Sequence, residues 1–301
     1  MNRSKKILLW GAGLLGLLLA AYLSLTVTAT AVAEMKVKEF FAGMQDVVST
    51  EYGAVEVSLF DMSATVKDLR MEIVGGAGFS IEEFELTRFE QQDNLPVAVT
   101  VAARGVRISL DQEALTDTTL ELREMGYDTL ALDYSMDFDY DRKSREFRLD
   151  DLTMCVREAG ELSIRLRLSN VDLAALMQGG PGIMFLAVDY GELRYEDHSL
   201  LKRILESIAR EEQTGVEEVV ATLEKGMVEQ EAQAKEVGDE FTIAVLAAFR
   251  GFLHAPTAIA VRVEPPEPVA FMQLMAMEDP LEVLQALNLN VFSGKEKINN
   301  E

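Results

Sequence analysis

Cysteine, histidine and basic side chains are scarce in this chain of 301 residues. Cys155 is the only cysteine, which excludes an intramolecular disulfide and leaves the fold dependent on its hydrophobic core. His198 and His254 are the only histidines and lie far apart, so the sequence predicts no zinc site. It also lacks the G-x-S-x-G elbow that seats a serine nucleophile. We therefore predict no cofactor, and no catalytic constellation can be identified.

Basic residues are outnumbered by acidic ones, with 28 Lys and Arg against 51 Asp and Glu. Arg3, Lys5 and Lys6 precede the first apolar run, so the rest of the chain has 25 bases and 51 acids, a net charge of −26. Such a surface repels nucleic-acid phosphates and anionic lipid headgroups, and we expect no nucleic-acid partner. It favours divalent cations or basic partners, although solubility alone also explains it.

Charge is absent altogether from Ile7 to Ala33, a run of 27 residues. A helix of this length would span roughly 40 Å, more than the ~30 Å hydrocarbon core of a bilayer. Because the bases precede the run, we predict a single-pass anchor in the inner membrane, with a cytoplasmic N-terminus and residues 34–301 exported. The alternative is a signal peptide cleaved after Ala33, since Ala31-Val32-Ala33 fits the cleavage pattern.

Small residues recur at every fourth position of this run: Ala12, Gly16, Ala20 and Ser24. Such a stripe lets two transmembrane helices approach closely, so it is a candidate contact for a homodimer. The alternative is that export segments are generally rich in small residues. The exported part contains no N-x-[ST] sequon, which favours a bacterial envelope over a eukaryotic secretory compartment.

Hydrophobic periodicity predicts an α+β protein: an N-terminal transmembrane helix, then a mainly antiparallel β-sheet packed by C-terminal helices. The clearest alternation places Leu132, Tyr134, Met136, Phe138 and Tyr140 on one face of a strand. The predicted regions are a cytoplasmic tip and anchor over 1–33, a juxtamembrane helix over 34–52, a β-rich region over 53–197, a helical region with returning strands over 198–294, and a polar tail over 295–301.

Three segments share the pattern apolar-x-acid-apolar-x-apolar, in which two polar residues interrupt the alternation. These segments are Val66 to Met71, Ile81 to Leu86 and Leu149 to Met154. A β-bulge would keep the apolar side chains of each segment on one face. We predict a bulge in each; the recurrence of the pattern indicates a repeated strand unit or, as the alternative, ordinary strand chemistry.

Three further features are candidate sites. Asp137, Asp139 and Asp141 resemble the start of a calcium loop. An EF-hand needs a glycine and a glutamate where this sequence has Arg142 and Arg148. We therefore favour an acid–base ladder across the strands, with a loosely bound cation as the alternative. Cys155 falls on the wet face, where it is a candidate reactive thiol. Phe271, Met272 and Met275 are candidates for an adaptable apolar groove, against core packing as the alternative.

These observations favour a non-catalytic, membrane-anchored envelope protein that contacts the bilayer through residues 7–33. We expect its sheet and helices to bind a hydrophobic ligand, such as a lipid, or a protein partner. An oligomeric scaffold or assembly factor that dimerises through its transmembrane helix is the second hypothesis. An envelope enzyme is the third.

Overall fold

The computed structural model describes residues 29–35, 37–38, 48–73, 78–93, 95–110, 117–177 and 181–294. These residues form an open antiparallel sheet with several helices, which confirms the α+β class. The strands are β1 Val48–Glu51, β2 Ala54–Ser58, β3 Ser63–Ile73, β4 Gly78–Gln92, β5 Leu95–Ser109, β6 Thr129–Asp141, β7 Glu146–Val156, β8 Gly160–Ser169, β9 Ala187–Asp197, β10 Ala258–Val263, β11 Val269–Ala270 and β12 Leu289–Ser293.

Helices lie at the start of the described chain, between strands, and mainly after β9. They are α1 (29–35 and 37–38), α2 Asp117–Glu124, α3 Leu173–Met177, a 3₁₀ helix Pro181–Phe185, α4 Leu200–Glu211, α5 Val216–Val237, α6 Glu240–His254, α7 Phe271–Ala276 and α8 Pro280–Ala286.

The sheet is a meander whose strand order follows the chain for most of its width. The order is β1-β3-β4-β5-β6-β7-β8-β9-β10-β12, while β2 pairs with β3 and β11 pairs with β9. Short turns connect most neighbours, which suits antiparallel pairing. The sequence from Leu289 to Phe292 predicts an edge strand that closes the fold, and β12 forms the edge of the sheet beside β10.

The predicted juxtamembrane helix over 34–52 is wrong at its C-terminal end. Residues 29–35 and 37–38 are helical, but Val48–Glu51 is strand β1, with Val48 opposite Ile73 of β3. Pairing with a distant strand overrides the helical spacing of the local sequence. Residue 36 and residues 39–47 lie outside the described residues.

The predicted anchor lies almost wholly outside the described residues, as do Ala12, Gly16, Ala20 and Ser24. Within the described ranges, no helix is both long and apolar enough to cross a membrane. The anchor and the small-residue contact therefore remain predictions.

A bulge occurs in one of the three segments where the sequence pattern predicts one, Leu149 to Met154 of β7. Asp150 of β7 is an extra residue relative to the neighbouring strands β6 and β8. Asp137 and Phe138 of β6 pair with Asp151 and Leu149, which leaves Asp150 without a counterpart, and the register against β8 also shifts between Leu149 and Leu152. The other two segments, on β3 and β4, pair with each other without a register shift, so the bulges predicted there are not confirmed. The bulge at Asp150 keeps Leu149 and Leu152 on one face of β7.

On β5 the irregularity falls at Arg104 and Gly105, where the register against β6 shifts by one residue. Gly105 has a φ of +63°, and the Asp133 carboxylate accepts its backbone N–H at 2.7 Å. A Cβ at this position would lie 2.5 Å from the Glu82 side chain. Glycine suits this backbone conformation best, and a Cβ here would also require the Glu82 side chain to move.

The C-terminal helices largely follow prediction. Asp279-Pro280 predicts a helix start with an N-cap and with proline at the first helical position. In the structure, Asp279 caps α8 by accepting the Leu281 N–H at 2.9 Å. The start of α5 differs, because its N-cap is Gly215 without a side-chain cap, whereas the sequence predicts a capping box that begins at Thr214. Thr214 instead donates its hydroxyl hydrogen to Glu218.

Candidate apolar ligand site

Apolar side chains form continuous rows across one face of the sheet. Directly paired residues of neighbouring strands point to the same face, so the strand register alone defines the central row: Ala64, Leu86, Val101, Met136, Leu152, Ile164, Leu193, Val261 and Val291.

Parallel rows flank the central row on both sides, two residues away along β6. The Tyr134 row is Val55, Val66, Phe84, Ala103, Tyr134, Met154, Leu162, Tyr195 and Ile259. The Phe138 row is Phe89, Val99, Phe138, Leu149, Leu166, Gly191, Val263 and Leu289. Side chains two apart on a strand share a face, so the three rows form one apolar surface.

Helices cover this surface at its two sides. Ala33 and Val37 of α1 pack on the cluster formed by buried residues of β2 to β5. On the other side, the Phe252 ring of α6 meets the Tyr195 ring edge-on, with 6.1 Å between centroids, and α6 also contacts β10 and β12.

The middle of the surface is left partly open. Met136, Leu152 and Ile164 are only half-buried, and Met154 and Leu193 are 37% and 43% exposed. At about 4.8 Å per strand, the open width from β5 to β9 is roughly 19 Å. An apolar surface of this extent is unusual unless it meets a ligand or partner.

A cleft of about 660 Å³ adjoins the open surface beneath α1. Its volume falls within the roughly 300–1,000 Å³ of small-molecule sites. Ala64 and Leu86 line the cleft and also begin the central row, so cleft and open surface are continuous. The lining residues are mostly apolar: Ala29, Val32, Ala33, Val57, Ser58, Leu59, Met62, Ser63, Ala64, Leu86, Thr87, Arg88 and Phe89.

Large apolar side chains project into solvent beside the cleft. Phe60 is 88% exposed and Met62 is 78% exposed, both in the turn between β2 and β3. Phe89 of β4 is 55% exposed. Sequence reasoning missed these residues, although the apolar letters Leu59-Phe60 and Met62 within a turn were a signal.

The sequence-predicted methionine groove lies elsewhere. Phe271, Met272 and Met275 are on α7, which contacts the 3₁₀ helix Pro181–Phe185. Phe271 is half-buried, whereas Met272 and Met275 are exposed. The structure thus places the two methionines on the surface, and their role in a groove stays a prediction.

The opposite face of the sheet carries the predicted acid–base contacts in part. Asp139 lies opposite Arg148 and forms an ion pair with Arg88 at 2.8 Å. Asp137 accepts the Thr100 hydroxyl at 2.8 Å and lies opposite another acid, Asp151. The ladder therefore includes hydroxyl and backbone donors besides arginine. In the described part of the chain, no group of three or more His, Cys, Asp or Glu could hold a metal ion.

Cys155 is poorly placed for nucleophilic chemistry. Burial, with the nearby Glu161 and Asp133 carboxylates, raises the pKa of its thiol, which disfavours the reactive thiolate. His254 lies at the end of α6, and its Nε2 atom is 2.6 Å from the Glu224 carboxylate, as expected for a structural role at a helix C-terminus.

Comparison with known proteins adds a partial match. Residues 153–293 match a protein-family model described as "Uncharacterized protein"; the matched range runs from within β7 to the end of β12. No curated protein matches the chain.

Proposed function

We propose that this protein is a membrane-anchored envelope protein that binds a hydrophobic ligand, a lipid acyl chain, on the apolar face of its sheet. The observation that carries the proposal is the central row, which runs across the sheet without a polar residue and stays half-exposed in its middle. The sequence-predicted anchor of residues 7–33 would keep this face close to its lipid source.

The dimensions support an acyl chain as ligand. One leaflet of a bilayer contributes half of the ~30 Å hydrocarbon core, so a lipid tail reaches about 15 Å. The open width between the helices is roughly 19 Å. A tail therefore fits along the central row, with one end reaching into the cleft under α1.

The cleft matters for affinity. Ten methylenes that each gain half of ~0.8 kcal/mol on an open face would contribute about 4 kcal/mol, which corresponds to roughly millimolar binding. Full enclosure of the same methylenes would contribute about 8 kcal/mol, in the micromolar range. We therefore expect the tail to be held where Ala64 and Leu86 join the face to the cleft.

A photoreactive fatty acid tests the proposal. The full chain in detergent is incubated with palmitate that carries a diazirine, irradiated and digested, and the labelled peptides are identified by mass spectrometry. We expect labels on apolar-face residues of β4 to β8, reduced by an excess of unlabelled palmitate. In the variant Ala64→Trp, which fills the cleft, labelling should fall at least several-fold.

A matched control comes from the wet face. Arg167→Trp adds the same indole to an exposed position of β8 and should leave labelling unchanged. Labelling that is spread equally over both faces, or that unlabelled palmitate does not reduce, would contradict the proposal.

A further inference from the structure

One end of the sheet gathers a set of exposed apolar side chains from distant parts of the chain. The strand register brings together the turn 59–62, the turn at Asp93, the turn 142–145 and the segment between β8 and β9. We call this the Phe60 end. The opposite end carries α2 and the turn between β7 and β8.

Two apolar patches lie at the Phe60 end, at different positions along the strand order. Phe60, Met62 and Phe89 form the first, beside the cleft. The second lies about six strands away, on the 3₁₀ helix and α7, where Phe185 is 62% exposed and Met275 is 66% exposed. Isolated exposed apolar residues are ordinary, but two groups at one end indicate a surface that is covered in use.

The chain itself points to what covers this end. Ala29, Val32 and Ala33 of α1 line the cleft together with Met62 and Phe89, while Val37 packs deeper, on the buried cluster of β2 to β5. α1 therefore begins at the Phe60 end. Residues 7–28 of the charge-free run precede α1 in the chain, so a bilayer that held them would lie at this end.

The charges at the Phe60 end also suit a bilayer surface. The chain as a whole has a net charge of −23, but the turns here are balanced. Arg142 forms an ion pair with Asp93, and Asp141 accepts the Lys143 N–H at 2.8 Å. The four connecting segments of this end contain three basic residues, Arg142, Lys143 and Arg145, and three acidic ones, Asp61, Asp93 and Asp172, while Asp141 and Glu146 lie at the adjoining strand ends. This end is therefore much less acidic than the chain as a whole, which reduces the repulsion that acidic surfaces experience at a membrane.

We infer that the Phe60 end docks on the bilayer surface, with Phe60 and Phe185 inserted at the level of the lipid headgroups or below. Apolar insertion, rather than attraction to anionic lipids, holds it there, since this end has no excess of basic side chains. The inference does not depend on the apolar face holding a ligand. It fixes the orientation of the body: strands stand upright on the membrane and the opposite end points away.

Spin labels measure this orientation in the full chain. In a Cys155→Ser background, single cysteines are introduced as Phe60→Cys, Phe185→Cys and Thr129→Cys, the last being an exposed residue at the opposite end. Each protein is labelled and reconstituted into phosphatidylcholine vesicles. The accessibility of each label to oxygen and to a polar nickel chelate is then compared with its value in detergent-free buffer containing a soluble amphipathic polymer.

On reconstitution we expect the accessibility of the labels at 60 and 185 to the nickel chelate to fall at least three-fold. Their accessibility to oxygen should rise. The label at 129 should change in neither measure. The pattern should persist in 0.5 M salt, and adding 30% phosphatidylglycerol should not deepen the labels. Immersion of only one of the two labels, or release of both by salt, would overturn the inference. If both spin labels are immersed but the photoreactive fatty acid does not label the apolar face, the ligand proposal is wrong and the docking of the Phe60 end still holds.

Discussion

Polar substitution in the middle of the central row separates a ligand-binding face from a packed core. We consider Leu152→Ser combined with Ile164→Ser, two neighbours directly opposite each other on β7 and β8. If these side chains belonged to a closed core, such truncations would cost about 2–5 kcal/mol each in the free energy of unfolding. Both side chains are only half-buried, so we expect the double variant to lose about 2 kcal/mol or less.

The effect on ligand binding should be comparable in size. Each change removes about three methyl or methylene groups, and at half of ~0.8 kcal/mol per group this is roughly 1.2 kcal/mol per site. Two sites amount to about 2.4 kcal/mol, or roughly a 50-fold weaker Kd. The assay is a titration with a fluorescent fatty acid, paired with urea unfolding followed by circular dichroism.

Arg148→Ser with Arg167→Ser is the matched control, since these residues are also directly opposite each other on the same two strands but on the wet face. The control should bind the fatty acid like the unmodified protein. If the apolar double variant loses more than 4 kcal/mol of stability while the remaining folded protein binds with unchanged Kd, the face is core and the reasoning fails.

Four further outcomes are expected. Gly105→Ala should lower the free energy of unfolding by about 1–2 kcal/mol, because the positive φ of residue 105 disfavours a side chain. Gly226→Ala lies inside α5 with open space at its Cβ and should raise the free energy of unfolding by about 0.5–1 kcal/mol. Thermal melts of the two variants test both expectations. Arg262→Ala leaves the buried Glu192 without its 2.8 Å partner and should cost about 3–5 kcal/mol in urea unfolding, an estimate that an unchanged midpoint would refute. The Thr242 hydroxyl and backbone N–H donate to the Asp239 carboxylate and lower its pKa. The stability that this cap contributes to the folded protein is therefore present above pH 3.8 and is lost as the pH falls further. Asp239→Asn should flatten this part of the acid-unfolding curve. Gly16→Leu should convert a homodimer to a monomer in detergent sedimentation, and an unchanged state would exclude the small-residue stripe as the contact.

Local sequence pattern predicted the strands well because alternation is a property of one segment. Leu132 to Tyr140 alternates without interruption, and the segment is β6. The pattern at Leu149 to Met154 likewise predicted the bulge at Asp150, since only an extra residue keeps Leu149 and Leu152 on one face. Capping chemistry at Asp279 is local too and was equally predictable.

Pairing between distant segments was not predictable in the same way. Val48 has helical spacing with its predecessors, but hydrogen bonding to β3 makes it a strand residue. The cleft is lined by Ala29 of α1 and by Val57, Ala64 and Leu86. Ala29 and Leu86 are 57 positions apart in the sequence, and the three strand residues approach one another only through the register of β2, β3 and β4. Methionine content pointed instead to α7, because composition identifies adaptable side chains without showing which of them share a cavity.

The arrangement links the predicted anchor to the proposed site by one continuous apolar path. The charge-free run ends at Ala33, which lines the cleft; the cleft is also lined by Ala64 and Leu86, which begin the central row. A lipid tail that left the bilayer at the Phe60 end would therefore not need to cross a polar surface to reach Ile164. The path can be tested with a charge placed near its start. Leu86→Asp should block labelling of β7 and β8 by the photoreactive fatty acid. Val291→Asp, at the far edge of the same row, should leave that labelling unchanged. If both variants lose labelling equally, the ligand reaches the face from solvent and the path has no role.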